Sequence, residues 1–361
     1  VAAGGLGASP SSTCADALIL ATLSGQLSQW PQEPAASDHA HLYARIDFHG
    51  VSGLFAEALK SVSGVPETVQ AKLREKQLHY LFWEDRHRKF VGGAISALTD
   101  AGIGAVIFKG TACAYSVYGS PSQRVRGDTD ILVAPKDRVR AAEVLASLGF
   151  KRGLSFARER GVSQISYELA EPLGWSHAID LHWQINNSAF LSQRFSWDEL
   201  NARSVPLTAF HKAAWSPRPV DAILISCFHR LVHLGSPYTV DGIDYYSADR
   251  LIWLADIDLL SKLLTADDWE ELFAHASEKG LLGACLSGFS AAHAAFGTAL
   301  PKVAMEELAK PGEVSAVDSY LYGKPLTRFR RDVAAQSSVW GKIAFVGEHV
   351  FPPADYMRAQ F

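Results

Sequence analysis

The sequence is short of cysteine and of net charge, and it lacks long apolar runs. Four cysteines (Cys14, Cys113, Cys227, Cys285) lie far apart with no Cys-x-x-Cys pair. That excludes a disulfide framework or a cysteine zinc site, and reduced thiols in a cytoplasmic protein are the expectation. Lys and Arg total 34 against 38 Asp and Glu, a net charge of −4. A nucleic-acid groove usually shows as a basic domain, so no nucleic-acid partner is expected. A small anionic ligand needs only a local positive pocket. Charged residues at 20% and nine Trp exclude a disordered chain. No repeat and no long low-complexity tract is visible. The opening residues VAAGGLGASPSS lack the basic and apolar segments of a secretion signal, and the starting Val suggests a trimmed start. The run Leu281 to Leu300 is uncharged but carries three Gly, two Ser, one Thr and a His. That is a poor composition for lipid, so it reads as a buried helix and no membrane contact is expected. Neither a Walker loop, a Gly-x-Ser-x-Gly elbow nor a His-Glu-x-x-His pair occurs.

What is present changes in texture along the chain. Ala15 to Leu27, Ala40 to Leu59 and Val69 to Asp100 have apolar residues at three- and four-residue spacing and read as helices. The run Gly104-Ala-Val-Ile-Phe-Lys109 is then a buried-strand signal, followed by helical turns over Thr111 to Tyr118. Thr129 to Ala134 reads as a second strand. Pro135 opens a helix that stops at Gly149. Gln164 to Leu169 and His177 to Ile185 read as two more strands. From Ser196, which with Glu199 fits a capping box, the chain returns to helix. Thr265 is a candidate N-cap and Gly280 a helix stop. The fold expected is α+β: a helical region over 1–102, a small mixed-sheet core over 103–190 and a helical domain over 191–361.

The sharpest local feature is Gly127-Asp-Thr-Asp130-Ile-Leu-Val133. Alternate strand residues face the same way, so Asp128 and Asp130 present two carboxylates side by side. Like charges this close call for a cation, and Mg2+ takes one or two carboxylates with waters and phosphates. Asp256-Ile-Asp258 is a control with the same spacing. It falls in a helical pattern, where residues two apart diverge around the axis and cannot clamp one ion. Asp180 sits inside the apolar strand Ile179 to Ile185, and a carboxylate there needs a partner. If its strand neighbours that of Asp128 and Asp130, three carboxylates converge. His182 shares the face of Asp180 and is placed to orient it or the substrate. Lys109-Gly110-Thr111 follows a strand, and glycine with helix N-terminal amides suits a phosphate. Arg124 and Arg126 precede the aspartates and are placed to neutralise phosphate charge, the alternative being an ordinary surface loop, more so for Arg126. His229 and His233 share a helix face, with no third metal ligand in sight.

Phe108-Lys-Gly110, Arg124 with Gly127-Asp-Thr-Asp130, and Asp180-Leu-His-Trp183 resemble the nucleotidyltransferase fold of the DNA polymerase beta superfamily. More narrowly they resemble a family of uncharacterised bacterial nucleotidyltransferases. The likeness continues into His229-Arg-Leu-Val-His233, Arg250 to Asp256 and the Phe351-Pro-Pro353 tail. The resemblance implies that Asp128, Asp130 and Asp180 bind Mg2+ or Mn2+ and that Asp180 doubles as base. It puts Gly110 and Thr111 beside the phosphates of a nucleoside triphosphate. The superfamily turn usually carries Gly-Ser or Gly-Gly where Gly-Thr stands here, and residues 112–127 form a longer gap than usual. The implied reaction moves a nucleoside monophosphate to a hydroxyl of a small molecule or protein. A metal-dependent phosphotransferase and a non-catalytic nucleotide-binding protein are the rival readings.

Overall fold

A computed structural model describes residues 10–31, 39–153, 163–172, 174–235, 238–240, 243–245, 249–310 and 315–351. Residues 352–361, and with them Pro352 and Pro353, lie outside that description. The fold is α+β, and its described residues divide into two compact units interleaved along the sequence. One is drawn from residues 1–85, 113–126 and 219–313, the other from 86–112, 127–218 and 314–361.

The first unit is built of helices with a short two-stranded ribbon. Its helices are His39–His49, Ser52–Ala58 and Pro219–Leu234, with Leu251–Ser261, Ala266–Glu278 and Leu282–Phe296 among the rest. The single helix expected over Ala40 to Leu59 is broken in two. Gly50 adopts φ +68°, the left-handed conformation that ends a helix, and the chain restarts at Ser52. Thr265 caps its helix reciprocally with Asp268, and Gly280 takes φ +65° after it. The uncharged run from Leu281 forms the helix Leu282–Phe296, with Cys285 and Phe289 buried. A Cβ on Gly288 would stand 2.8 Å from Cys227 Sγ, so the absent side chain lets this helix close on Pro219–Leu234. No described helix is long and apolar enough to cross a membrane. The four cysteines are free thiols.

The second unit is organised by a seven-stranded mixed sheet. Its strands are β1 (Ala105–Phe108), β2 (Asp128–Val133), β3 (Lys151–Arg152), β4 (Gln164–Ala170), β5 (Ser176–His182), β6 (Val205–Pro206) and β7 (Trp215–Ser216). Their order is β3-β4-β5-β2-β1-β7-β6. The four strands expected from sequence occupy the centre. The three two-residue strands are too short to show a period. β1 runs antiparallel to β2, and β4 antiparallel to β5. β2 and β5 are parallel, which sets Asp130 directly beside Asp180. Ile107, Ile131, Ile179 and Leu181 are fully or almost fully buried in this sheet. The helix Arg138–Ser147 follows β2 and buries Ala141 and Leu145.

Candidate functional site

The site grows from the end of β1. Phe108 closes the strand, and Lys109 turns into the helix Lys109–Ser116 with φ +55°, the only non-glycine residue at positive φ among those described. A left-handed β-carbon-bearing residue costs of order 1 kcal/mol and persists where its surroundings hold it. Here the restraint is visible. Lys109 Nζ donates to Asp130 Oδ1 at 2.7 Å and lies 4.9 Å from the centre of the Phe108 ring.

Register supplies the rest. In the β2–β5 pair Asp130 faces Asp180, and His182 stands one same-face step further along β5. Asp130, Asp180 and His182 each offer a ligand atom, and the three atoms lie within 4.8 Å of one another. It is the one such group among the described residues. His182 Nε2 meets Asp130 Oδ1 at 2.8 Å, so the histidine serves Asp130 rather than its own-strand neighbour Asp180. Asp180 Oδ2 accepts instead from Gln164 Nε2 on β4, at 3.1 Å.

Electrostatics follow from this crowding. Burial works against charge on Asp130. The Lys109 ammonium and the His182 hydrogen bond outweigh it and hold the carboxyl well below the usual carboxylate range. Burial, with the Lys109 charge beside it, pushes the His182 imidazole below its ordinary value despite Asp130. A buried ionised carboxylate, a half-buried second carboxylate and an imidazole thus converge, with a cation already drawn to them. Two carboxylates and an imidazole fit a divalent ion, and the carboxylates suit Mg2+ or Mn2+.

The other sequence candidates distribute differently. Asp128 lies two residues before Asp130 on the same strand face, paired in register with Ala178, and stands outside the three-ligand group. Gly110 occupies the turn beside Lys109 in the first helical residues. The Thr111 side chain points to the other face: its hydroxyl meets that of Thr129 at 2.8 Å. Arg124, in the helical unit, is buried and holds both oxygens of Asp256, its Nε 2.8 Å from Oδ1 and its Nη2 2.8 Å from Oδ2. Asp258 binds Thr298 and Lys262 instead, so the control pair serves separate partners. Arg126 donates to Glu84 at 2.7 Å. His229 and His233 do share a helix face, with their Nε2 atoms 3.0 Å apart and His233 stacked on Trp253.

Sequence reading missed Gln164, His87, His177 and Glu171. Gln164 opens a strand like any polar residue, and only its place opposite His182 gives it meaning. His87 lies within the helix Glu67–Asp100, where helical spacing marks it as one more buried position.

No curated protein matches the chain. A family model described as uncharacterised nucleotidyltransferase matches residues 35–297, a span that includes Lys109, Asp130, Asp180 and His182. With more than half of its length matched, the chain belongs to the uncharacterised nucleotidyltransferase family.

Proposed function

We propose that the chain is a metal-dependent nucleotidyltransferase that moves a nucleoside monophosphate from a nucleoside triphosphate to a hydroxyl of a small-molecule or protein acceptor. The observation that carries this reading is the pairing of Asp130 with Asp180 across parallel strands, with Lys109 and His182 on Asp130. Asp130, Asp180 and His182 would hold the ion, with Asp128 supplying a further carboxylate beside them. When bound, a divalent cation supplies charge neutralisation at the phosphates.

The chain's own residues supply the rest. Lys109, already poised on Asp130, is within reach of an anionic phosphate group brought to the same place. Gly110 lets backbone amides of the turn approach phosphate oxygens. Asp180, half-buried, accepts the acceptor's hydroxyl proton as that oxygen bonds to the α-phosphorus. The bond from the α-phosphorus to the bridging oxygen breaks, and pyrophosphate leaves with the electron pair. Positioning and electrostatics carry the rate in such a transfer. The mild net charge of −4 makes a small molecule or a protein side chain a better acceptor than nucleic acid.

The test uses triphosphates labelled at the α- or the γ-phosphate, with Mg2+ and either a low-mass metabolite pool or protein as acceptor. Transfer of α-label with pyrophosphate release is expected. Asp130→Asn and Asp180→Asn should each lower the rate by about a hundredfold or more. Transfer of γ-label with release of the diphosphate would replace this reading with phosphotransfer.

A further inference from the structure

A second polar assembly lies on the opposite face of the same two strands. Odd-numbered residues of β2 and β5 face away from Asp130 and Asp180. Among them are Thr129 and His177, both with no exposed surface. They belong to one continuous chain of side-chain hydrogen bonds. Glu171 Oε1 meets His177 Nε2 at 2.8 Å. His177 Nδ1 meets His87 Nδ1 at 3.3 Å. His87 Nε2 meets Thr129 Oγ1 at 2.8 Å, and Thr129 Oγ1 meets Thr111 Oγ1 at 2.8 Å. The chain therefore reaches the turn that carries Lys109 and Gly110, where Thr111 Oγ1 also lies 3.4 Å from the Asp128 carbonyl.

One charge sets its direction. Arg86 donates to Glu171 through Nε, at 3.0 and 3.1 Å, and through Nη2, at 2.6 Å. These bonds hold the Glu171 carboxyl below its ordinary value. An ionised carboxylate only accepts, so His177 Nε2 must carry a proton and donate it. If both rings are neutral, His177 Nδ1 accepts, so His87 donates from Nδ1 and accepts at Nε2. Thr129 must donate to that nitrogen, and Thr111 in turn donates to Thr129. Every proton in the chain points towards Glu171.

We propose that Glu171, His177 and His87 are positioning residues of the transfer site, ordering the hydroxyls of Thr129 and Thr111 and bracing from behind the strands that carry Asp130 and Asp180. The functional half of this inference rests on the reading of the preceding subsection; the proton order does not. The Thr111 hydroxyl is turned to Thr129 at 2.8 Å, with the Asp128 carbonyl a second, more distant acceptor at 3.4 Å, so phosphate contact falls to the turn's backbone amides and to Lys109. A polar chain costs more than an apolar core when half satisfied. Here it joins one helix, two strands and the turn with directional bonds, which packing alone does not provide.

The experiment labels histidine with 15N in the full chain and reads the tautomers of both rings at neutral pH. His177 protonated at Nε2 and His87 protonated at Nδ1 are expected. An imidazolium at either ring, or the reverse tautomers, overturns the proposal. In Glu171→Gln the amide can donate as well as accept, so the single tautomer order should give way to a mixture. Mn2+ affinity then reads the brace itself. Thr129→Val and Glu171→Gln should each weaken it by about tenfold to a hundredfold, as loss of supporting partners around a metal does. Thr129→Ser should restore it to within about twofold of the parent, against that tenfold minimum. Equal Mn2+ affinity in all of these proteins overturns the bracing role. Absence of nucleotidyl transfer by the parent would count against the proposed function, while tautomers and Mn2+ affinity still decide the brace.

Discussion

Lys109 Nζ and His182 Nε2 converge on one oxygen, Asp130 Oδ1, at 2.7 and 2.8 Å. Any cation coming to that oxygen must displace a donor. Lys109→Met removes the charged competitor and should bind Mn2+ in the absence of nucleotide roughly tenfold more tightly, the lower range of what a neighbouring charge does to a carboxylate. Nucleotidyl transfer should fall in the same variant, because the cation facing the phosphates is lost. Mn2+ titration followed by electron paramagnetic resonance checks the first effect. Unchanged or weaker binding sinks the competition.

The Arg124–Asp256 pair is a buried two-pronged ion pair that also takes the Tyr118 hydroxyl, at 2.6 Å from Asp256 Oδ1. Removing one partner strands a buried charge, so Arg124→Met should cost about 3–5 kcal/mol in urea unfolding. Arg124→Met combined with Asp256→Leu should recover at least half of that loss. A double variant as unstable as the sum of its singles would show that the two residues act apart.

Gly53 lies in the helix Ser52–Ala58, and a Cβ there would stand 2.6 Å from Gln123 Cα and 2.8 Å from Ser122 O. Both are backbone atoms of the 3-10 turn Pro121–Gln123 and cannot swing aside as a side chain can. Gly53→Ala should destabilise by about 1–3 kcal/mol, the usual cost of overpacking. A neutral or stabilising effect in the same unfolding assay would contradict that close approach.

His49 is buried, accepts the Leu251 N–H at Nδ1, and meets Asp16 Oδ1 through Nε2 at 3.1 Å. Burial, with the Arg45 and Arg250 charges nearby, lowers its pKa from the ordinary 6.5 despite Asp16. On acidification the unfolded chain therefore takes up a proton first. Stability is full above about pH 6.5 and falls as the pH drops towards the lower folded value. The Asp16 carboxyl, held below its usual value against burial by His49 and Arg45, adds a loss in the same direction below about pH 4. The urea midpoint of the parent should drop between about pH 7.5 and 5.5, and that of His49→Gln should drop less. Equal slopes would remove His49 as a cause.

Several elements were legible without coordinates because their signals are local. Alternation placed Asp128 and Asp130 on one strand face, the glycine-bounded run marked β1, and Thr265 and Gly280 bounded their helix. The contrast between Asp130 and Asp256 was legible too, since the same spacing means one thing on a strand and another on a helix. Gly50 was missed because apolar spacing continues across it, although its positive φ divides the helix.

What the sequence determined by itself is the set of chemical groups and their direction along each strand or helix, since both depend on neighbours in the chain. Tertiary structure decided which groups meet. Parallel pairing of β2 with β5 chose Asp180 as the partner of Asp130 and brought His182 to the same carboxylate. Closure of the helical unit gave Arg124 to Asp256. The packing of the helix Glu67–Asp100 put His87 between His177 and Thr129. Those contacts join residues 42 to 132 positions apart in the chain, beyond the reach of any short-range pattern.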